Sequence, residues 1–338
     1  MDRKQRKPFP GKILLFLTIV ILTALAACTS KPTTEVQPTK VEPTTVPSAE
    51  AGPTEPTVAP PTEIHKPTEE PGLPPLPVEP QRVEFQAEDG KNLVGYYYPA
   101  AVNPAPAVIL MHWALGDQRD WLAIAPWLQN RSDELANFPG WDDAIGADCG
   151  DQMIGPWLDA SWFPSMPEAV SLAVFTFDFR DFCESESGTN SRSEWALDAK
   201  AAFATVSELP GVNPNKIVAI GASIGADGAV DGCLLHNKES STCLGGMSLS
   251  PGSYLNMLYP DVVAELDGAE PPVPVWCLAA EDDTPSSDAC RSASGNQYQM
   301  YIYEGDAHGI RLLVPGHDQD PMVLIQDFLE ETLGVETK

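Results

Sequence analysis

A serine in a glycine-rich turn is the first group in this chain whose setting suggests chemistry. Gly221-Ala222-Ser223-Ile224-Gly225 has the pattern Gly-x-Ser-x-Gly, follows four apolar residues at 217–220 and precedes a predicted helix. A serine on such a strand-to-helix turn presents its hydroxyl where helix amides stabilise developing negative charge. The pattern therefore predicts Ser223 as a nucleophile, the alternative being an idle serine in a tight turn.

A serine hydroxyl needs a base to remove its proton. His308 lies in Gly305-Asp306-Ala307-His308-Gly309, a loop after the last predicted strand, from which it can return to the serine. The other four histidines lie in a Pro-rich segment, at a strand end, at the far end of the helix after the serine, and before the last helix: His65, His112, His236 and His317. We predict His308 as the base, with His317 as the alternative.

An acid must orient that base. Glu281-Asp282-Asp283 directly follows the predicted strand before the last one. A carboxylate there can accept the second imidazole N–H and hold the tautomer that leaves the other nitrogen free. We predict Asp283 in preference to Asp282, although acidic runs are also common in exposed loops.

The elements that position these groups follow from hydrophobic patterns. Continuous apolar runs predict strands buried on both faces, and amphipathic or Ala-rich stretches between them predict helices. The predicted strands are 106–111, 173–177, 217–220, 247–250, 273–278 and 299–303. The predicted helices are 121–129, 191–209, 224–235 and 322–333. This alternation predicts an α/β fold with a mostly parallel central sheet and helices on both faces.

The first two strands differ from the rest. Residues 82–86 alternate between polar and apolar, and Asp89-Gly90 is a turn signal before a return strand at 93–98. This pattern predicts an antiparallel N-terminal hairpin at one edge of the sheet.

The order Ser, Asp, His along the chain, the serine turn and the histidine after the last strand together resemble the α/β-hydrolase superfamily. The resemblance covers residues 82–336 and is strongest to the dienelactone hydrolase-like and small-esterase branches. Two more motifs match: His112-Trp113-Ala114-Leu115-Gly116, where the family usually has His-Gly-x-x-Gly, and residues 178–185, which resemble Asp-x-Arg-Gly-x-Gly-x-Ser.

The resemblance implies hydrolysis of a small-molecule ester by two-step acyl transfer, without metal or organic cofactor. It also implies an oxyanion hole formed by the backbone N–H groups of Ala114 and Ile224, and a structural role for His112. Trp113 replaces the usual glycine, and we predict that it lines the acyl pocket. Asp181 and Cys183 replace two further glycines and predict a locally different loop.

Two other functions remain open at this stage. A serine peptidase can use the same fold, although such enzymes usually carry an added gating domain. A surface-binding protein that retains the scaffold without catalysis is the second alternative, since a fold alone does not establish activity.

The N-terminus has the pattern of an export signal. Five basic residues within the first 12 precede an apolar run at 13–27, which ends in Leu25-Ala26-Ala27-Cys28. This tetrapeptide resembles the lipobox of bacterial lipoproteins. It predicts a signal peptide at 1–27, lipid attached to Cys28, and anchoring to the cell membrane or the outer membrane with the folded domain outside the cytoplasm. An ordinary signal peptide and an uncleaved anchor are the alternatives.

Composition divides the rest of the chain. Residues 28–80 are rich in Pro, Thr and Glu and contain no aromatic residue, which predicts a disordered spacer. We predict the hydrolase domain at 81–338. Within it, the irregular insert 131–165 is interpreted either as a lid or as a surface loop.

Charge and cysteines narrow the partners and the compartment. The net charge is −28, with 20 Lys and Arg against 48 Asp and Glu, which argues against nucleic acid as a partner. Apart from Cys28 there are six cysteines, an even number in an exported domain. Closeness along the chain favours the pairs Cys233–Cys243 and Cys277–Cys290, which leaves Cys149–Cys183; buried free thiols are the alternative.

Overall fold

The computed structural model describes residues 76–147, 149–150, 157–188 and 192–338. All of these residues belong to the compact unit Pro67–Lys338. The predicted signal peptide, Cys28 and the spacer up to residue 75 lie outside the described residues.

Eight strands form a single sheet in the order β1-β2-β4-β3-β5-β6-β7-β8. The strands are β1 Gln81–Gln86, β2 Asn92–Tyr98, β3 Ala105–Met111, β4 Ala173–Phe177, β5 Val212–Ala222, β6 Cys243–Leu249, β7 Val275–Ala280 and β8 Tyr298–Tyr303. β2 is antiparallel to β1 and to β4, and the other neighbours are parallel. The predicted fold class is therefore confirmed: this is the α/β-hydrolase fold, with an antiparallel N-terminal hairpin at one edge.

Helices cover both faces of the sheet. They are α1 Ile124–Gln129, α2 Ser132–Leu135, α3 Arg192–Glu208, α4 Ile224–Asn237, α5 Tyr259–Asp267, α6 Thr284–Ser292 and α7 Pro321–Leu333. Successive residues of β3 alternate between two cores: Ile109 packs in the core with α3, α4 and α5, and Leu110 in the core with α1 and α7. This double burial explains why the central strands read as continuous apolar runs.

Several boundaries differ from the sequence prediction. β5 starts at Val212, five residues before the predicted strand. The prediction missed this part because residues 213–216 form no continuous apolar run and are partly exposed. The predicted helix at 121–129 is a 3₁₀ helix, Gln118–Trp121, followed by α1. The packed region also begins before residue 81, since Val78 is buried and its carbonyl oxygen accepts a hydrogen bond from Gln129 Nε2 at 2.9 Å.

The structure joins the six cysteines in the three predicted pairs. Cys233–Cys243 links the end of α4 to the start of β6, Cys277–Cys290 links β7 to α6, and Cys149–Cys183 links the insert to the loop after β4. Two of the pairs therefore tie a strand to a helix packed against the sheet.

Among the described helices, none has both the length and the hydropathy needed to cross a bilayer.

Candidate active site

Ser223 occupies the sharp turn between β5 and α4. Its backbone has φ +53° and ψ −114°, a region that non-glycine residues rarely adopt and that strained functional turns often use. The amide N–H of Ser223 donates to the carbonyl oxygen of Leu249 at the end of β6, at 2.8 Å. Ser223 is 7% exposed, so it is mostly buried but keeps a small solvent-accessible surface.

The two glycines of the serine motif are required by crowding. A Cβ at Gly221 would overlap the carbonyl oxygen of Gly225, and a Cβ at Gly225 would overlap the carbonyl oxygen of Met111 at the end of β3. Only a residue without a side chain lets the chain turn this tightly beside the neighbouring strand. The spacing in the motif thus has a direct steric cause.

His308 and Asp283 are in direct contact. His308 follows β8, Asp283 follows β7 as the residue before α6, and His308 Nδ1 lies 2.7 Å from Asp283 Oδ2. The backbone carbonyl of Asp283 accepts the amides of Ser286 and Ser287, which holds the aspartate at the start of the helix. The side chain of His308 is 30% exposed and that of Asp283 is 11% exposed, so the imidazole is partly open to solvent.

The loop that carries His308 is anchored beside the serine turn. The amide of Gly309 donates to Ser250 Oγ at 2.9 Å. A Cβ at Gly309 would lie 3.5 Å from the Cβ of Ala222, the residue before Ser223. The structure therefore brings Ser223, His308 and Asp283 to the same end of the sheet. In the described part of the chain no hydrogen bond joins Ser223 Oγ to His308, and such contacts are often long in unliganded sites.

The alternative acid and bases lie elsewhere. Asp282 is exposed, and its amide is tied to Gly305. His317 packs against Tyr303, with ring centroids 4.2 Å apart. His236 lies at the far end of α4 and contacts Thr242. In the described part of the chain, none of the three has a hydrogen bond or ring contact with Ser223, His308 or Asp283.

His112 is a structural residue, as the resemblance implies. It is fully buried, its Nδ1 lies 2.8 Å from the carbonyl oxygen of Trp113, and its Nε2 accepts the amide of Phe179 at 3.1 Å. Burial lowers the pKa of His112 to about 4, so the ring is neutral at ordinary pH. Nδ1 then donates to Trp113 and fixes the start of the loop that follows β3.

The loop after β3 carries one predicted oxyanion donor. The amide of Gly116 donates to the carbonyl oxygen of Trp113 at 3.3 Å, which closes a tight turn around Ala114. Ala114 is exposed, whereas Ile224 is the first residue of α4. Within the described residues, neither the Ala114 nor the Ile224 amide donates to another backbone group. Both N–H groups are therefore candidate donors to an oxygen atom of a substrate.

Trp113 is the centre of packing around the proposed base. It is 2% exposed and stacks against His308, with centroids 6.4 Å apart. Trp157, from the insert, meets it edge to face at 5.7 Å, and the guanidinium of Arg311 lies 5.3 Å from its ring centroid. Trp113 thus packs against the imidazole of His308, and Trp157 brings the insert into contact with Trp113.

Sequence reasoning missed a buried acid next to the serine turn. Asp227, one helical turn after Ser223, accepts the amides of Gly252 and Tyr254. Burial raises the pKa of Asp227 to about 7, against the opposing effect of those amides. The loop it holds places Tyr254 edge-on to His308 at 6.5 Å. An acid in the otherwise small and apolar start of α4 is the sequence signal by which it could have been found.

Asp117, Asp178 and Cys183 come close enough together to resemble a metal site. Protein groups already hold each of them. Asp117 pairs with Arg119, Asp178 accepts both the backbone and side-chain N–H groups of Gln118, and Cys183 is in a disulfide. Burial raises the pKa of Asp178 to about 8. We interpret this cluster as a structural network below the loop that follows β4.

No family model matches the chain. Two curated relatives are similar over part of it, both bearing the printed name "Uncharacterized protein YfhR". The Salmonella typhi protein is 27% identical over 157 residues, which is 45% of this chain and 40% of that protein. The Escherichia coli K12 protein is 27% identical over 158 residues, 46% of this chain and 43% of that protein. The chain thus spans less than half the length of the curated relatives it matches.

Solved structures show similarity over a larger part of the chain. The Pyrococcus furiosus esterase Pf2001 is 17% identical with a TM-score of 0.46, covering 76% of this chain and 94% of that one. The dienelactone hydrolase of Anabaena variabilis is 14% identical with a TM-score of 0.47, covering 75% of this chain and 99% of that one. At such identities and TM-scores, the two structures do not define the chemistry of this chain.

Proposed function

We propose that this protein is a serine hydrolase that cleaves a carboxylic ester bond in a small-molecule substrate. The observation that carries the proposal is the 2.7 Å contact between His308 Nδ1 and Asp283 Oδ2, on loops packed beside the turn that carries Ser223. The three residue types in this arrangement define nucleophile, base and orienting acid.

In the proposed first step, Ser223 Oγ attacks the ester carbonyl carbon, and His308 Nε2 takes the hydroxyl proton. Because Nδ1–H donates to Asp283, the lone pair of the neutral imidazole is on Nε2 and faces away from the acid. Asp283 then stabilises the imidazolium that forms. The C–O bond breaks as His308 returns the proton to the leaving alkoxide.

The carbonyl oxygen becomes negative in the tetrahedral intermediate. The proposed donors are the amides of Ala114 and Ile224, which have no other backbone partner in the described chain. Loss of one such donor typically costs about 10²- to 10³-fold in rate. Water then attacks the acyl-enzyme by the same route and releases the acid, so the scheme uses no metal or organic cofactor.

Covalent labelling tests this proposal. The full-length protein is treated with a fluorophosphonate and the adduct is located by mass spectrometry, beside Ser223→Ala and the control Ser294→Ala, which removes an exposed serine. We expect an adduct on Ser223 in the wild type and in the control, and none in Ser223→Ala. Labelling that persists in Ser223→Ala, or a folded wild type that is never labelled, overturns the proposed mechanism. Labelling at Ser223 followed by peptide rather than ester turnover would identify a serine peptidase.

We further propose that Cys28 carries a lipid that anchors the protein to the cell membrane or outer membrane, with the hydrolase domain outside the cytoplasm. The support is the basic and apolar start that ends in Leu25-Ala26-Ala27-Cys28, together with three disulfides, which persist in oxidising compartments. Metabolic labelling with palmitate tests this. We expect label in the wild type and loss of label in Cys28→Ala; equal labelling of both would contradict it.

A further inference from the structure

A buried carboxylate lies against the turn at residues 113–116, which carries the proposed donor Ala114 and is called the oxyanion turn below. Asp120 is in the 3₁₀ helix Gln118–Trp121, directly after the loop that contains Ala114, and is 6% exposed. Its carboxyl group rests on the Cα of Gly116, where any side chain would collide with it. The last residue of the His112 motif, Gly116, therefore has no side chain because Asp120 occupies the space. The catalytic scheme gives this acid no role.

Within the described residues, the two carboxyl oxygens of Asp120 are buried hydrogen-bond acceptors without a partner, and two buried indole N–H groups, those of Trp113 and Trp157, are donors without a partner. Burial raises the pKa of Asp120 to about 7 and nearby Asp117 adds to the rise, whereas the indole N–H groups of Trp157 and Trp113 oppose it. The indoles are thus near enough to act on the carboxylate, without being in full hydrogen-bond geometry.

Three segments of the chain meet around Trp113: the oxyanion turn, the insert and the loop that carries His308. Trp113 belongs to the oxyanion turn, Trp157 to the insert, and the two indoles meet edge to face at 5.7 Å. Trp113 also stacks on the ring of His308, with centroids 6.4 Å apart. A carboxylate that accepts both indole N–H groups would hold the insert, the oxyanion turn and the support of the base in one arrangement.

Other charged groups near Asp120 are already engaged. Asp117 pairs with Arg119 through its carboxylate, and it caps the same 3₁₀ helix. Arg311 lies over the ring faces of Trp113 and Trp157, at 5.3 and 4.6 Å from the centroids. Among the unpaired buried donors of the described structure, the indole N–H groups of Trp113 and Trp157 are the two that lower the pKa of Asp120.

We propose that Asp120 is a positioning residue for the proposed hydrolysis: its carboxylate gathers the indole N–H groups of Trp113 and Trp157, directly or through one water, and so fixes the oxyanion turn against the insert. This inference rests on the proposed function. Since Asp120 acts on the geometry of the turn and not on the bound ester, its loss lowers kcat more than it changes KM. A protonated carboxyl group can accept less well from two donors, so this effect depends on pH.

The test uses Asp120→Asn and Trp157→Phe, separately and combined, in the full-length protein. Trp162→Phe is the control, because Trp162 lies in the same insert but is 39% exposed. On an ester that the wild type hydrolyses, we expect each of the two variants to lose about 10- to 100-fold in kcat, the cost typical of a misplaced catalytic group. The double variant should lose little more than either single one, because both remove the same contact.

Tryptophan fluorescence gives a readout that a general loss of stability does not produce. The wild type should show an emission change with a midpoint near pH 7, the pKa to which burial raises Asp120. Asp120→Asn should abolish this transition, and Trp157→Phe should reduce its amplitude while leaving the carboxylate in place. If Asp120→Asn does not fold, Trp157→Phe alone still tests the contact.

The outcomes separate the two proposals. A wild type that is labelled at Ser223, with both variants retaining full kcat and the pH transition, overturns the inference and leaves the proposed function standing. Additive losses in the double variant also overturn it, because they show that the two residues act independently. A wild type that is never labelled at Ser223 overturns the proposed function and this inference together.

Discussion

The ring of His308 stacks on the indole of Trp113, with centroids 6.4 Å apart and an interplanar angle of 27°. The loops after β3 and β8, which lie far apart along the chain, are therefore in direct contact at the site. This contact gives a physical reason for a tryptophan at a position where the resembled family usually has glycine. The sequence-based prediction that Trp113 lines an acyl pocket remains a proposal, since the structure shows it nearly buried beneath the imidazole.

Replacing Trp113 with alanine should lower both activity and stability. The substitution leaves a cavity under His308, and truncating a buried aromatic residue typically costs about 3–5 kcal/mol. We expect a reduced free energy of unfolding in urea and a lower kcat. Trp162→Ala, which truncates an exposed indole, should change neither by a comparable amount. Full activity in Trp113→Ala would show that the stacking contact does not position the base.

Asp283→Asn should lower kcat about 10³- to 10⁴-fold, because an amide favours the wrong imidazole tautomer. The neighbouring Asp282→Asn is the matched control, since Asp282 is exposed and has no contact with His308 in the described structure. Initial rates with the same ester measure both variants. If Asp282→Asn is the more damaged of the two, the assignment of the orienting acid is wrong.

The protein should be more stable at pH 6 than at pH 8. Burial raises the pKa of Asp227 to about 7, that of Asp178 to about 8 and that of Asp231 well above its usual range. Unfolded aspartate has a pKa near 3.9, so the folded state binds more protons between about pH 4 and 8. The stability that these groups contribute is present below about pH 4 and is lost as the pH rises through their folded values.

The shifted pKa of His112 changes the free energy of unfolding with pH in the opposite direction. Its folded pKa is lowered to about 4, so its contribution is present above about pH 6.5 and is lost as the pH falls toward 4. His112 therefore only partly offsets the three aspartates below about pH 6.5, and the net effect of these four groups favours the lower pH between about 4 and 8. Asp231→Asn should reduce the difference in Tm between pH 6 and pH 8, whereas Asp261→Asn, the same charge change at an exposed position, should not. Equal pH dependence in the wild type and Asp231→Asn would contradict this account.

The disulfides should differ in their effect on activity. Cys277–Cys290 ties β7 to α6, the helix that begins directly after Asp283, whereas Cys233–Cys243 lies at the far end of α4. Their loops span 13 and 10 residues, so removing either pair by alanine substitution should cost about 3 kcal/mol of stability. Only loss of Cys277–Cys290 should also lower kcat at 25 °C, because it loosens the support of the acid. Thermal melts and rates on both double variants check this.

The features that depend on local chemistry could be predicted from the amino-acid sequence. The serine turn could be identified because crowding at Gly221 and Gly225 excludes every larger residue. The central strands could be identified because burial on both faces requires continuous apolar runs. Chain order then indicated Asp283 and His308, since the loops after successive parallel strands open at the same edge of the sheet.

The features that depend on contacts between distant segments could be recognised only in the folded chain. The start of β5 is joined to β3 only through the pairing of Val212 with Ala105, before the register shift that leads to Ile217, and the local sequence pattern does not indicate this. The roles of Trp157, Asp227 and Asp120 depend on which side chains surround them: an indole against Trp113, the amides of a distant loop, and the unpaired indole nitrogens. Burial and the partners of a buried group are properties of the packed chain, and they determine whether a carboxylate is an exposed charge or part of a site.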